Sequence, residues 1–169
     1  MRPVETLVRL LTLIARTGAG VAFAVLIGTV LVQVVGRTTG QSPVWTEELT
    51  RFALLYLVAF GAGLSLRTGD LVNVDVISES LPGKLPWLLR LLAAAATAGL
   101  ALYLLPHAWK YVTIGKMQTA PALGMRMTWA HLTVFILIAG LALFALLRCI
   151  AMLSGTEDGT PVKPAEEEE

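Results

Sequence analysis

The segment from Trp45 to Arg51 combines two carboxylates, a guanidinium and an indole within seven residues. On a helix, Glu47 and Glu48 stand four and three residues before Arg51, so either carboxylate can meet the guanidinium. The cluster could be an interfacial helix cap with Trp45 in an aromatic belt, or a polar patch that meets a partner protein at membrane depth. We favour the partner patch. The charge-free run beyond Arg51 has only 15 residues, so the cluster cannot rise clear of the membrane, where ionisable groups rarely face lipid.

Oxygen-bearing side chains at Asp70, Asn73 and Asp75 follow shortly after Arg67, and a cation site is conceivable there. Their spacing does not fit a calcium loop of the EF-hand type. Gly69 can end a helix, and the apolar residues after it predict a short amphipathic segment along the cytoplasmic interface. Upstream, small residues at Ala59, Gly61 and Gly63 form a patch that permits close helix approach.

The chain has two histidines, His107 and His131, which the helix pattern places at similar depth. Two such imidazoles could ligate a b-type haem, which would make the chain the membrane anchor of a redox enzyme. The preferred interpretation is two interfacial polar residues beside the belt residues Trp109 and Trp129. A single cysteine, Cys149, excludes an internal disulfide and a cysteine-built metal site.

The elements that must position these residues are membrane helices. The chain is 56% hydrophobic and 15% charged, with a mean hydropathy of +0.72, whereas soluble domains are about 25% charged. Three charge-free runs of 20, 19 and 21 residues (Thr17–Gly36, Leu91–Trp109 and Met127–Leu147) each suffice to cross a bilayer. The shorter run Phe52–Leu66 needs a helix that starts near Pro43, a residue suited to the first helical position.

We therefore predict an all-α membrane protein with four transmembrane helices in one small bundle, over about 10–37, 43–67, 86–114 and 126–152. Amphipathic interfacial segments are expected before helix 1 and after helix 2. Residues 154–169 end in four glutamates and predict a disordered acidic cytoplasmic tail.

The distribution of Lys and Arg sets the expected orientation. With the N-terminus inside, eight basic residues lie on the inner side and five on the outer side, which predicts that both termini are cytoplasmic. The net charge of +1 argues against a nucleic-acid partner. No internal repeat or enzyme motif is visible, and four short-looped helices are too few for a complete transporter, so a subunit of a larger complex is expected.

The order of these features resembles the small membrane subunit (Q-type) of tripartite ATP-independent periplasmic (TRAP) transporters, from about Ala15 to Leu147. The pieces that carry the resemblance are Arg37, Trp45-Thr46-Glu47-Glu48-Leu49-Thr50-Arg51, the glycine-rich helix 2, Arg67-Thr68-Gly69, Val72-Asn73-Val74-Asp75, Thr119-Ala120-Pro121-Ala122-Leu123 and Trp129. Members of that family often carry a histidine two residues after the glycine, where this chain has Leu71.

The resemblance implies a non-enzymatic scaffold in the inner membrane of a bacterium or archaeon, without a cofactor of its own. It would pack beside a large multi-helix membrane subunit, which moves a small organic acid and holds the coupling sodium ions, and help seat a periplasmic substrate-binding protein. Helices 1 and 2 would anchor the large subunit, and the outer connections Arg37–Ser42 and Lys116–Arg126 would face the periplasmic protein. The predicted partner-contact residues are Arg37, Trp45, Glu47, Glu48 and Arg51, and the predicted structural motif residues are Gly61, Gly63, Gly69, Asp75 and Pro121.

Overall fold

A computed structural model describes residues 2–41, 43–68 and 85–155. Four helices account for most of them: α1 (Arg2–Thr38), α2 (Trp45–Thr68), α3 (Leu85–Ile114) and α4 (Thr128–Leu153). A short 3₁₀ helix, Gly115–Met117, follows α3 directly. All four α-helices are long and apolar enough to cross a membrane, so the all-α, four-span prediction is confirmed.

Helix α1 starts at Arg2 rather than near residue 10 and runs for 37 residues without a break. The predicted amphipathic segment before helix 1 is therefore continuous with the span, because no glycine or proline interrupts the helix between Val4 and Ala15. Its first turns also pack inside the protein, since Thr12 accepts a hydrogen bond from the Arg67 guanidinium. Leu11 contacts an apolar cluster that includes Leu66.

Helix α2 begins at Trp45, two residues later than predicted. Pro43 precedes the helix in a turn, where its carbonyl accepts hydrogen bonds from the backbone N–H of Thr46 at 3.2 Å and the Thr46 hydroxyl at 2.6 Å. The two expectations after helix 2, the amphipathic segment and the cation site at Asp70, Asn73 and Asp75, lie outside the described residues. The acidic tail from residue 156 onward lies outside them as well.

The helices pack side by side in the order α1, α2, α4, α3. Within the described residues, α1 and α3 do not contact each other, and α1 reaches α4 only briefly. The helices of this row approach each other closely where one of them carries a glycine. A Cβ on Gly18 would lie 2.8 Å from the Phe60 ring, and a Cβ on Gly63 would lie 2.9 Å from the Phe144 ring. The row leaves much apolar surface uncovered.

The two ends of the bundle differ. At one end, which we call the loop end, α1 connects to α2 and α3 connects to α4. The opposite end holds the start of α1 and the end of α4.

Thr50 donates to Thr29 across the α1–α2 contact at 3.1 Å, which sets the antiparallel register of these two helices.

Candidate functional site

The α3–α4 loop (residues 115–127) is an ordered hairpin at the loop end. The backbone N–H of Ala120 donates to the Met125 carbonyl at 2.7 Å, and that of Met127 donates to the Gln118 carbonyl at 2.9 Å. Between these bonds, the Gly124 N–H donates to the Ala120 carbonyl at 2.9 Å and closes a turn. Gly124 has a φ of +65°, a conformation that residues with a Cβ rarely adopt.

Glu48 holds the tip of this turn. The backbone N–H groups of Ala122 and Leu123 both donate to Glu48 Oε2, at 3.0 and 2.7 Å. The amides of Ala120 and Gly124 are bonded within the loop, and Pro121 has no N–H. The amides of Ala122 and Leu123 therefore need an acceptor from elsewhere. Glu48 thus does for the loop what a capping side chain does for a helix N-terminus, but from another helix.

Apolar packing fixes the base of the loop. Ala120 is 1% exposed and forms a small core with Phe52 and Ala130, against which Leu123 and Met127 pack. The hydrogen bonds and this core together hold the loop against the first turns of α2. The position of the loop therefore depends on the position of α2.

The other predicted contact residues remain at the surface. Arg37, Trp45, Glu47 and Arg51 are exposed, whereas Glu48 is half-buried. Glu47 meets only Gln33 among its described neighbours, at a long 3.5 Å. The sequence thus grouped two carboxylates that the structure separates: Glu48 bonds to the loop, and Glu47 faces outward.

Arg51 lies well inside the end of α1. Thr50 lies opposite Thr29, which is eight positions before Arg37, and Arg51 is one position further from the loop end. At a rise of about 1.5 Å per residue, Arg51 therefore lies about 13 Å from the level of Arg37. Within the hydrocarbon region an exposed guanidinium is costly, because lipid tails offer it no polar partner.

Of the predicted motif residues, Gly63 meets Phe144 of α4, and Gly61 has open space where a Cβ would stand. Pro121 is exposed at the start of the loop turn. Gly69 and Asp75 lie outside the described residues. No group of three or more His, Cys, Asp or Glu residues suited to a metal ion occurs in the part of the chain that the structure describes.

The two histidines are engaged in different ways. His131 is 7% exposed, stacks on Tyr111 with ring centroids 4.0 Å apart, and donates from Nδ1 to the Tyr111 carbonyl at 3.1 Å. His107 is exposed, and its Nδ1 donates to the carbonyl of Tyr103, one turn earlier on its own helix, at 3.2 Å. A Cβ on Gly115 would lie 2.8 Å from His131 Nδ1, so glycine is needed where α4 meets the end of α3. His131 therefore acts as a packing residue at the α3–α4 junction.

Sequence reasoning missed the bond between Glu48 and the loop. The turn itself had a signal, since Pro121 and Gly124 are typical turn residues. No local pattern indicated which side chain would accept the free amides of this turn. Glu48 precedes those amides by 74 and 75 residues.

A comparison with family models matches residues 26–155 to the tripartite ATP-independent periplasmic transporters, DctQ component. A search of curated proteins finds no match. The family match covers 130 of the 169 residues, including all of α2, α3, α4 and the loop held by Glu48. The chain therefore belongs to the DctQ component family of tripartite ATP-independent periplasmic transporters, a family of transporter components rather than of enzymes.

Proposed function

We propose that this chain anchors and stabilises the large transporting component of a sodium-coupled importer of a small organic acid, and helps dock the soluble substrate-binding protein. The family match over residues 26–155 carries this proposal, because membership of the DctQ family implies work with a large membrane component and a substrate-binding protein. The coupling sodium ions would bind in the large component. This chain needs no cofactor for a scaffold role.

We further propose that the complex lies in the inner membrane of a bacterium or archaeon, with both termini of this chain in the cytoplasm. The support is the excess of Lys and Arg on the side that holds the termini, eight against five. In this orientation the loop end of the bundle faces the periplasm. The connections Arg37–Ser42 and Lys116–Arg126 are then available to the substrate-binding protein.

The large component would pack against the α1–α2 side of the row. Helix α1 is available for this contact, because it ends the row and packs along α2 but hardly against α4, which leaves most of its apolar surface uncovered. Arg37, Trp45, Glu47 and Arg51 lie exposed on the same two helices. Polar groups of the large component would satisfy Arg51 at membrane depth, where lipid cannot.

Glu48 has a different part in this proposal. Its carboxylate already accepts two backbone N–H groups from the α3–α4 loop. A partner can contact its remaining oxygen, but the residue also ties α2, which faces the large component, to the loop, which faces the periplasm. A Glu48 variant would therefore disturb both surfaces and cannot by itself identify the anchoring contact.

The anchoring proposal is tested by co-purification with the tagged large component. Arg51→Ala is expected to lower recovery of this chain at least about tenfold, because truncating one partner of a desolvated charged contact costs about 2 kcal/mol or more. Lys110→Ala is the matched control. Lys110 is an exposed cation towards the same end of the bundle, but it lies on α3, which does not contact α1 within the described residues.

Equal recovery of the Arg51→Ala variant and the wild type would remove Arg51 from the anchoring contact. Equal losses for Arg51→Ala and Lys110→Ala would show that net charge, rather than the α1–α2 side, decides the association. Failure of the wild-type chain to co-purify with the large component would contradict the scaffold role itself.

A further inference from the structure

Met117 is the most exposed apolar side chain among the described residues, at 92% of its full surface. Exposed apolar side chains on the helices need no explanation in a membrane protein, because lipid covers them. Met117 is different, since it lies beyond the end of α3 between two polar residues, Lys116 and Gln118, in the α3–α4 loop. Met117 is the last residue of the apolar stretch that could cross a membrane, and the cations Lys110 and Lys116 before it favour a position at the membrane surface over one among the lipid tails.

The loop that carries Met117 is rigid. Its backbone hydrogen bonds, its apolar base and the two bonds to Glu48 fix the segment from Gln118 to Met127, and Met117 immediately precedes it. An ordered backbone has little conformational entropy left to lose when the loop binds a partner, so the remaining entropy cost is that of the methionine side chain. An exposed methionine on such a loop is suited to enter an apolar socket, because its thioether side chain adapts to irregular surfaces.

The charges around Met117 have one sign. Lys116 and Arg126 are exposed on the loop, and Lys110 is exposed one turn before the end of α3. Residues 85–155 contain no aspartate or glutamate. Of the two carboxylates in the first turn of α2, Glu48 is turned towards the loop amides and Glu47 lies beside Gln33 of α1. The surface around Met117 is therefore positive and complementary to an acidic surface.

We propose that Met117, Lys116 and Arg126 form a docking knob for the soluble substrate-binding component, with Met117 in an apolar socket and the two cations against carboxylates at its rim. This proposal rests on the proposed function, which assigns the loop end to the periplasmic side. It goes beyond that function by naming the residues that make the contact and the chemistry of the surface they meet. Glu48 is a positioning residue, because it acts on the partner through the loop backbone.

The test uses this chain and its large component reconstituted together in nanodiscs of phosphatidylcholine, with the soluble component of the same transporter as the probe. Binding is measured by biolayer interferometry at two salt concentrations. Met117→Ser is expected to weaken binding about tenfold, as is typical when a central apolar anchor is removed, and Met117→Leu is expected to restore most of it. Lys116→Glu with Arg126→Glu is expected to lower the association rate about tenfold and to reverse its dependence on salt, because like charges then repel and salt screens that repulsion.

The matched control is Leu153→Ser. Leu153 is another exposed apolar residue, at 70%, but it ends α4 at the opposite end of the bundle. Its binding is expected to equal that of the wild type. Co-purification with the large component and helical circular dichroism, measured for every variant, exclude misfolding as the cause of a loss.

The outcomes separate this inference from the proposed function. Wild-type binding by Met117→Ser would overturn the docking knob while leaving the scaffold role intact. If the charge reversal acts only in nanodiscs that contain anionic lipid, the cations bind lipid headgroups and the inference is wrong. If the wild-type complex forms but the soluble component does not bind to it, both the knob and the proposed docking role fail.

Discussion

Replacing Glu48 by alanine removes the acceptor of two backbone hydrogen bonds without changing the loop sequence. The bonds are those from Ala122 and Leu123 to Oε2, at 3.0 and 2.7 Å. Four backbone positions of the loop keep their own bonds, including the turn closed by Gly124. The loop is therefore expected to loosen at its tip rather than to unfold.

The size of the effect follows from these contacts. A hydrogen bond to a charged group contributes about 1.5–3 kcal/mol, and two such bonds would contribute roughly twice that. Glu48 is half-buried, so water can partly replace it at the freed amides, and we expect a net local cost of about 2 kcal/mol. At about 1.4 kcal/mol for each factor of ten, this corresponds to about a 30-fold change in the local opening equilibrium.

Hydrogen–deuterium exchange of the purified protein in detergent measures this opening directly. In Glu48→Ala, the amides of Ala122 and Leu123 should exchange about 30-fold faster, and those of Gly124 and Met127 should change much less. Glu48→Gln, which keeps a neutral acceptor oxygen, should fall between the wild type and alanine.

Glu47→Ala is the control, because it removes the same charge from the adjacent residue. Glu47 is exposed, and its one hydrogen bond to another described residue is the 3.5 Å contact with Gln33, so its loss should leave exchange in the loop unchanged. Unchanged exchange at Ala122 and Leu123 in Glu48→Ala would refute the capping role. If exchange at Ala122 and Leu123 became equally faster in both variants, the negative charge near the loop would matter rather than the hydrogen bonds to Glu48.

Two further substitutions test the packing of the row, each by thermal unfolding in detergent. Gly63→Ala should destabilise the protein by about 1–3 kcal/mol, because the new Cβ would stand 2.9 Å from the buried Phe144 ring. Gly61→Ala on the same helix meets open space and should be neutral or stabilising. A larger loss of stability in Gly61→Ala than in Gly63→Ala would mean that α2 is rotated from its position here. Tyr56→Phe removes a 2.9 Å hydrogen bond from the Tyr56 hydroxyl to the Trp129 carbonyl. The free energy of unfolding should fall by about 0.6 kcal/mol, a typical value for such bonds between membrane helices. A loss above about 2 kcal/mol would contradict this modest role.

The boundaries of the spans followed from the sequence to different degrees. The starts and ends of α3 and α4 lie within two residues of the predictions, because charges and turn residues flank both helices. Helix α1 starts eight residues before the predicted span, and so includes the segment predicted to be amphipathic. Helical spacing before residue 15 indicated an amphipathic segment, but no local feature told whether that segment would lie on the interface or continue the span and pack against Arg67.

The predicted contact residues stay a prediction, although the structure shows how their surroundings differ. The sequence identified the cluster from Trp45 to Arg51 as unusual, because the apolar run beyond it has only 15 residues and ionisable groups rarely face lipid. It could not tell Glu47 from Glu48, since both stand in the first turn of α2 and both can reach Arg51. Their different roles depend on the direction in which each side chain leaves the helix, and therefore on what packs against that face.

The sequence by itself determined that this chain crosses the membrane four times and belongs to a transporter family. Both properties depend on local composition, length and motif order, which do not require knowledge of the packing. Only the tertiary structure decided that the helices stand in the order α1, α2, α4, α3 and that Glu48 holds a loop 74 residues away. The physical reason is that an apolar helix face is suited equally to lipid and to a neighbouring helix, so the apolar pattern does not say which face packs inside. The partner of a carboxylate at the helix end follows from that packing.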